Sequence, residues 1–206
     1  MADALSQIPL VILAGGKSSR MGIPKGLLEI NGRTWMRRQV ETYRSFGGIE
    51  SVIVVGYNAE DYLRELSSDP LDINFAVNSR PENGPFSSLQ EGLRFFQNKG
   101  VLSNGVFVLP VDVPCPESSV WNRLIESGKF PVSACYPVFK NKGGHPVWIS
   151  EELILKCLKH LPTDRLDYIM QSLPSGKICR VDVEDSRVVM NVNDPAAWEN
   201  YKISFE

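Results

Sequence analysis

Apolar positions along this chain follow two rhythms. Unbroken runs at Ile8 to Leu13, Val52 to Val55 and Val106 to Val111, with Ile73 to Val77 beside them, predict strands, the longest buried on both faces. Between them the spacing turns helical. Trp35, Met36, Val40, Tyr43 and Phe46 share one side of a helix over 35–46, with Thr34 as its cap and Gly47-Gly48 as its stop. Ala59 to Leu66 predicts a short helix, and Pro85 suits the first turn of one running to about Gln97. Strand alternating with helix predicts an α/β protein with a doubly wound, mostly parallel sheet.

Smaller features fill the gaps. Leu27 to Ile30 reads as extended and Asn31-Gly32 as a turn, and Pro116 is placed to open a helix. Val132 to Phe139 and His145 to Ile149 read as strands joined by Lys140 to Gly144, a small β-hairpin insertion that breaks the alternation and is placed to overhang the ligand crevice. A helix follows from about Glu151 with His160 on its surface, then a short helix opened by Thr163-Asp164-Arg165. Lys177 to Val183 and Arg187 to Met190 read as a strand pair, and Asp194-Pro195 as cap and first residue of a closing helix. With no internal repeat or linker, residues 1–206 are expected to form a single domain.

The formal charge of −2, with 22 basic against 24 acidic residues, gives no general attraction for nucleic acid or an acidic membrane, so any anion site must be local. Cys115, Cys135, Cys157 and Cys179 lack zinc-ligand spacing, and no leader or spanning segment is legible. A reduced, cytoplasmic protein is expected.

One local site stands out. After the first strand comes Leu13-Ala14-Gly15-Gly16-Lys17-Ser18-Ser19-Arg20-Met21-Gly22-Ile23-Pro24-Lys25, where the crevice of an α/β sheet lies. Bare glycine backbone and three cations suit an anion. A Walker A loop requires glycine at position 11, which is Val, and the dinucleotide fingerprint requires glycine at 17 or 18, which are Lys and Ser. Asp112, at the tip of another buried strand, suits Mg²⁺ beside a triphosphate, with a helix-capping or turn role as the alternative. At Gly84 to Leu89 a nucleotide contact and an ordinary helix start fit equally well, as do substrate contact and a solvated turn at Gly143, Gly144 and His145.

Together these stretches resemble the molybdenum cofactor nucleotidyltransferases, a branch of the MobA-like NTP transferases. The match rests on Leu13 to Gly22, Pro24 to Gly32, Gly84 to Leu89, Leu109 to Pro114, Gly143 to Pro146 and Asn191 to Pro195. The resemblance implies a Rossmann-like α/β/α sandwich of the nucleotide-diphospho-sugar transferase type. It implies nucleotidyl transfer from a Mg²⁺-bound NTP to the phosphate of molybdopterin or its molybdenum-loaded form. Leu13-Ala14-Gly15-Gly16 resembles the guanylyltransferases, which use GTP, whereas Phe86 to Leu89 and Gly143 to Pro146 are closer to the cytidylyltransferases, which use CTP. The first loop weighs most, so GTP is the expected donor.

By the same resemblance Leu13, Ala14, Gly15 and Gly16 hold the base and phosphates, with Asn78 and Arg80 reaching the nucleotide. Lys25, Arg20 and Asp112 form the catalytic set, and Asp112 with Asn193 ligates the metal. Gly84, Ser87, Ser88, Gly144 and His145 face the acceptor. Partners implied are GTP or CTP, the molybdenum cofactor, and molybdenum-insertion and molybdoenzyme-maturation proteins, with neither nucleic acid nor membrane among them. A sugar or polyol phosphate acceptor is the rival enzyme reading, and a catalytically silent nucleotide-binding regulator the rival from another class.

Overall fold

The computed structural model describes residue 5 and residues 7–67, 73–128 and 131–203, so the leader expectation lies partly outside the described residues. In chain order the elements are β1 (Leu10–Ala14), β2 (Glu29–Ile30), β3 (Arg33–Thr34), α1 (Trp35–Ser45), β4 (Ser51–Val55), α2 (Ala59–Ser67), β5 (Asn74–Val77), α3 (Pro85–Lys99) and β6 (Val106–Pro110). They continue with α4 (Ser118–Ser127), β7 (Ala134–Phe139), β8 (Lys142–Gly143), β9 (Val147–Ile149), α5 (Glu151–Cys157), α6 (Leu166–Gln171), β10 (Ile178–Asp182) and α7 (Pro195–Lys202).

The main sheet runs β10-β7-β9-β6-β1-β4-β5, with β8 paired to β7. β6, β1, β4 and β5 are parallel neighbours, in register Leu10 to Ser51 and Leu10 to Phe107 at the first pairs. Because side chains alternate along a strand, each central strand supplies two cores. Leu10, Ile12, Ile53, Val55, Phe107 and Leu109 pack with Met36, Val40 and Tyr43 of α1 and Trp121 of α4. Val11, Val52, Val54, Val106 and Val108 pack with Leu89, Leu93 and Phe96 of α3 and with Leu153 and Ile154 of α5. This is the expected three-layer α/β/α sandwich.

Several local expectations are corrected. The two strands expected as a hairpin do pair antiparallel, but they lie within the main sheet: β9 sits between β6 and β7, and only β8 leaves the path. Val147, Trp148 and Ile149 are all buried, so both faces of the strand are covered and it is not an overhanging ribbon. Arg187 to Met190 is no strand; Ser186–Val189 forms a 3₁₀ turn, because the Asp185 carboxylate accepts from the Arg187 N–H at 3.0 Å and pairs with its guanidinium. Leu27 to Ile30 is extended only at Glu29–Ile30, after a 3₁₀ turn over Lys25–Leu27. Helix α4 starts two residues beyond Pro116, and Thr34 occupies the N-cap position of α1 without a side-chain cap bond.

Two local expectations hold. Asn31 and Gly32 both take positive φ in the turn between β2 and β3, and Asp194 caps α7 by accepting from the Ala197 N–H at 2.9 Å. All four cysteines are free. Among the described residues no helix is long and apolar enough to cross a membrane.

Candidate active site

Parallel strands put their following loops on one edge, and those after β6, β1 and β4 converge there. The loop after β6 is held from two sides. Buried Gln39 of α1 donates to the Val111 carbonyl at 2.8 Å, and the Val111 N–H donates to Leu13 at 2.9 Å. The Val192 N–H then donates to the Asp112 carbonyl at 2.8 Å, which brings Asn193 alongside the Asp112 side chain.

Lys25 closes the group. Its N–H donates to Ser18 Oγ at 3.0 Å, across the turn in which the Met21 N–H reaches the Ser18 carbonyl. Its ammonium lies 3.0 Å from Asp112 Oδ2 and 2.5 Å from Asn193 Oδ1. Two hard oxygens thus converge on a single point that already accepts a positive charge. That donor set fits Mg²⁺, which takes one or two protein oxygens and completes its shell with phosphate and water. Among the described residues no three His, Cys, Asp or Glu side chains group to hold a metal ion.

A second wall comes from the start of α3. Gly84 (φ +96°) lets the chain turn into Pro85, and buried Asn78 donates to Ser87 Oγ at 2.8 Å and Ser88 Oγ at 3.0 Å while accepting from the Arg80 N–H. Ser88 Oγ in turn presses on the first loop: a Cβ added to Gly15 would lie 2.7 Å from it. The glycine is therefore required for close approach of loop and helix.

These walls enclose a cavity of about 400 Å³ bordered by Leu13, Ala14, Gly15, Gly16, Arg20, Lys25, Gly84, Ser88, Asp112 and Asn193 among others. A second cavity of about 730 Å³ adjoins it across Leu13, Pro85 and Pro110, and holds Gly144 and His145 with Phe86, Leu89, Tyr136 and Met170. Gly84 and Ser88, expected on the acceptor side, thus border the smaller cavity beside the first loop. Ser87 borders neither; its hydroxyl donates to the Gly84 carbonyl at 2.7 Å. Asn78 and Arg80 also lie outside both linings, Asn78 bracing α3 from beneath and Arg80 exposed. His160 is on the surface, paired with Asp164.

His145 lines the larger cavity. Burial pushes its pKa below the usual imidazole value, against the opposing pull of a hydrogen bond to Val108 and the charge of Asp112. Its Nδ1 is buried without a hydrogen-bond partner. Gln39 and Tyr57 lie at the site but were passed over by motif reading, and Ser18 was read only as part of the first loop. Of the first two only Gln39 carried a signal, being a polar residue on the apolar face of α1, three and four positions from Met36 and Trp35.

A family model described as MobA-like NTP transferase domain matches residues 10–176. A molybdenum cofactor guanylyltransferase of Rhizobium meliloti is 32% identical over 145 residues, covering 64% of this chain and 61% of that protein. The bifunctional protein GlmU of Cellvibrio japonicus is 28% identical over 120 residues, which cover 57% of this chain but 25% of that protein. The chain therefore spans a quarter to three fifths of these relatives' length. Among solved structures, molybdopterin-guanine dinucleotide biosynthesis protein A from Archaeoglobus fulgidus superposes with a TM-score of 0.71 at 19% identity, over 96% of this chain and 98% of that one. A nucleotidyl transferase from Methanothermobacter reaches 0.76 at 20% identity, over 96% and 97%.

Proposed function

The chain belongs to the MobA-like NTP transferases, and on that premise we propose that it transfers GMP from Mg²⁺-bound GTP to the terminal phosphate of molybdopterin or its molybdenum-loaded form. The observation that carries the reading is the convergence of Lys25, Asp112 and Asn193 on one point beside the Gly15-Gly16 loop, with a larger, partly aromatic cavity adjoining it. An acceptor phosphate oxygen attacks the α-phosphorus, the bond to the bridging oxygen breaks, and pyrophosphate leaves.

Little covalent chemistry falls to the protein. The first loop and the start of α3 fix the donor, and Lys25 and Arg20 offset the negative charge that grows on the α-phosphate and the departing pyrophosphate. Asp112 and Asn193 would hold the Mg²⁺, which when bound neutralises triphosphate charge. Phe86, Tyr136 and Met170 give the second cavity flat and adaptable apolar surface, which suits a pterin better than a sugar.

Guanine is favoured by the first loop and by relatives named as guanylyltransferases; the GlmU relatives match at similar identity and favour no base. The test is pyrophosphate release with GTP, CTP, ATP and UTP in turn, each with molybdopterin and with a sugar 1-phosphate. Release with GTP and molybdopterin is expected. Turnover with CTP alone would assign the chain to the cytidylyl branch, and no release with any pair would sink the enzyme reading.

A further inference from the structure

Along the nucleotide cavity, the ion-paired group lies at one end. Lys25, Asp112 and Asn193 gather beyond β6, whereas past Gly15 the lining becomes Tyr57, Pro81, Gly84, Pro85 and Ser88, where the charged Lys17 lies over the Tyr57 ring. Because β6, β1 and β4 are consecutive parallel strands, Asp112, Gly15 and Tyr57 follow successive strand ends. Two inter-strand spacings, about 10 Å, separate the outer pair. A nucleotide whose α-phosphate lies by Lys25 and Asp112 therefore reaches toward Tyr57 with its base.

Tyr57 is fixed for that contact. Its N–H donates to the Gly15 carbonyl at 3.3 Å. A Cβ on Gly56 would come within 2.9 Å of that carbonyl and 2.8 Å of Pro81 Cβ, so the loop after β4 lies against the nucleotide loop itself. One face of the phenol ring already attracts a ligand-like group, with Lys17 Nζ 5.0 Å from the ring centroid. An exposed cation over an aromatic face is held weakly, and a stacked base gains more from the same face.

We infer that Tyr57 is the stacking platform for the nucleobase, with Lys17 keeping the ring's face until a nucleotide enters. On binding, the base takes the ring and Lys17 turns to the polyphosphate. The inference rests on the nucleotidyltransferase reading but adds a residue that contacts the base and leaves catalysis untouched. It predicts a selective defect: the base loses its anchor while the phosphates keep theirs.

The experiment measures dissociation constants of GTP, CTP and inorganic tripolyphosphate, each with Mg²⁺, for the full chain and for Tyr57→Leu and Tyr57→Phe. Tyr57→Leu should weaken the nucleotides about tenfold and leave tripolyphosphate within a factor of about two, while Tyr57→Phe, which keeps the ring, should match the parent. Equal weakening of nucleotide and tripolyphosphate in Tyr57→Leu, or a defect as large in Tyr57→Phe, overturns the inference. So does unchanged nucleotide affinity in Tyr57→Leu, and in that case the transferase reading stands. Failure of the parent chain to bind any nucleotide overturns both.

Discussion

On the proposed function Lys25 serves two chemistries from one position, and its two readouts separate. Replacing it with Met removes the charge while keeping much of the stem, so turnover should fall by roughly two to three orders of magnitude with the circular dichroism spectrum unchanged. The same substitution frees Asp112 Oδ2 and Asn193 Oδ1. Mn²⁺ titrated without nucleotide, followed by its electron paramagnetic resonance signal, should then bind at least about tenfold tighter than to the parent, a shift of about 1.4 kcal/mol. Unchanged Mn²⁺ affinity would separate Lys25 from the metal point. His145 makes a different prediction. Its folded pKa lies below 6.5, so between those two values the unfolded chain binds a proton that the folded chain does not. Stability should therefore decline as pH falls through and below about 6.5, and His145→Gln should flatten that decline in urea titrations between pH 7.5 and 5. Parallel slopes for parent and variant would count against the buried, neutral imidazole.

At the scale of elements, the site depends on how tightly the first loop meets α3. Gly15→Ala places a methyl group 2.7 Å from Ser88 Oγ, which Asn78 holds in place. The nucleotide KM should rise at least about tenfold, and Ser88→Ala in the same chain should restore part of it, a coupling that two independent defects would not show. How much of this was legible depends on range. β1, β4 and β6 were readable because a buried parallel strand is a continuous apolar run, and α7 because Asp194-Pro195 is a local signal. The place of β9 between β6 and β7 was not, since which strands pair is decided by contacts far along the chain. Likewise the first loop and Asp112 announced themselves by residue type and position after a strand. Asn78 bracing Ser87 and Ser88 and Tyr57 beside Gly15 are long-range or geometric facts without a spacing to betray them, and the spacing of Gln39 marks it as a polar residue on an apolar face without naming Val111 as its partner.

At the scale of the whole molecule, one sheet runs from β1 near the start to β10 near the end, and the two cores on its faces share every central strand. Even the closing helix is tied in, with Trp198 and Tyr201 against Trp35 at ring distances of 5.1 and 5.6 Å. The chain should unfold in urea as one unit, with tryptophan fluorescence and far-ultraviolet dichroism giving coincident midpoints; separated midpoints would divide it into two domains. On the proposed function, the wall of Leu13, Pro85 and Pro110 between the cavities has a kinetic consequence. A molecule made by joining the two occupants straddles that wall and is gripped at both ends, and each grip raises the chance that the other re-forms before escape. Departure, rather than bond-making, then sets the pace. In rapid-quench measurements the first equivalent of pyrophosphate should appear in a burst ahead of a slower steady rate, and a time course linear from the first turnover would mean that the wall keeps the two grips independent.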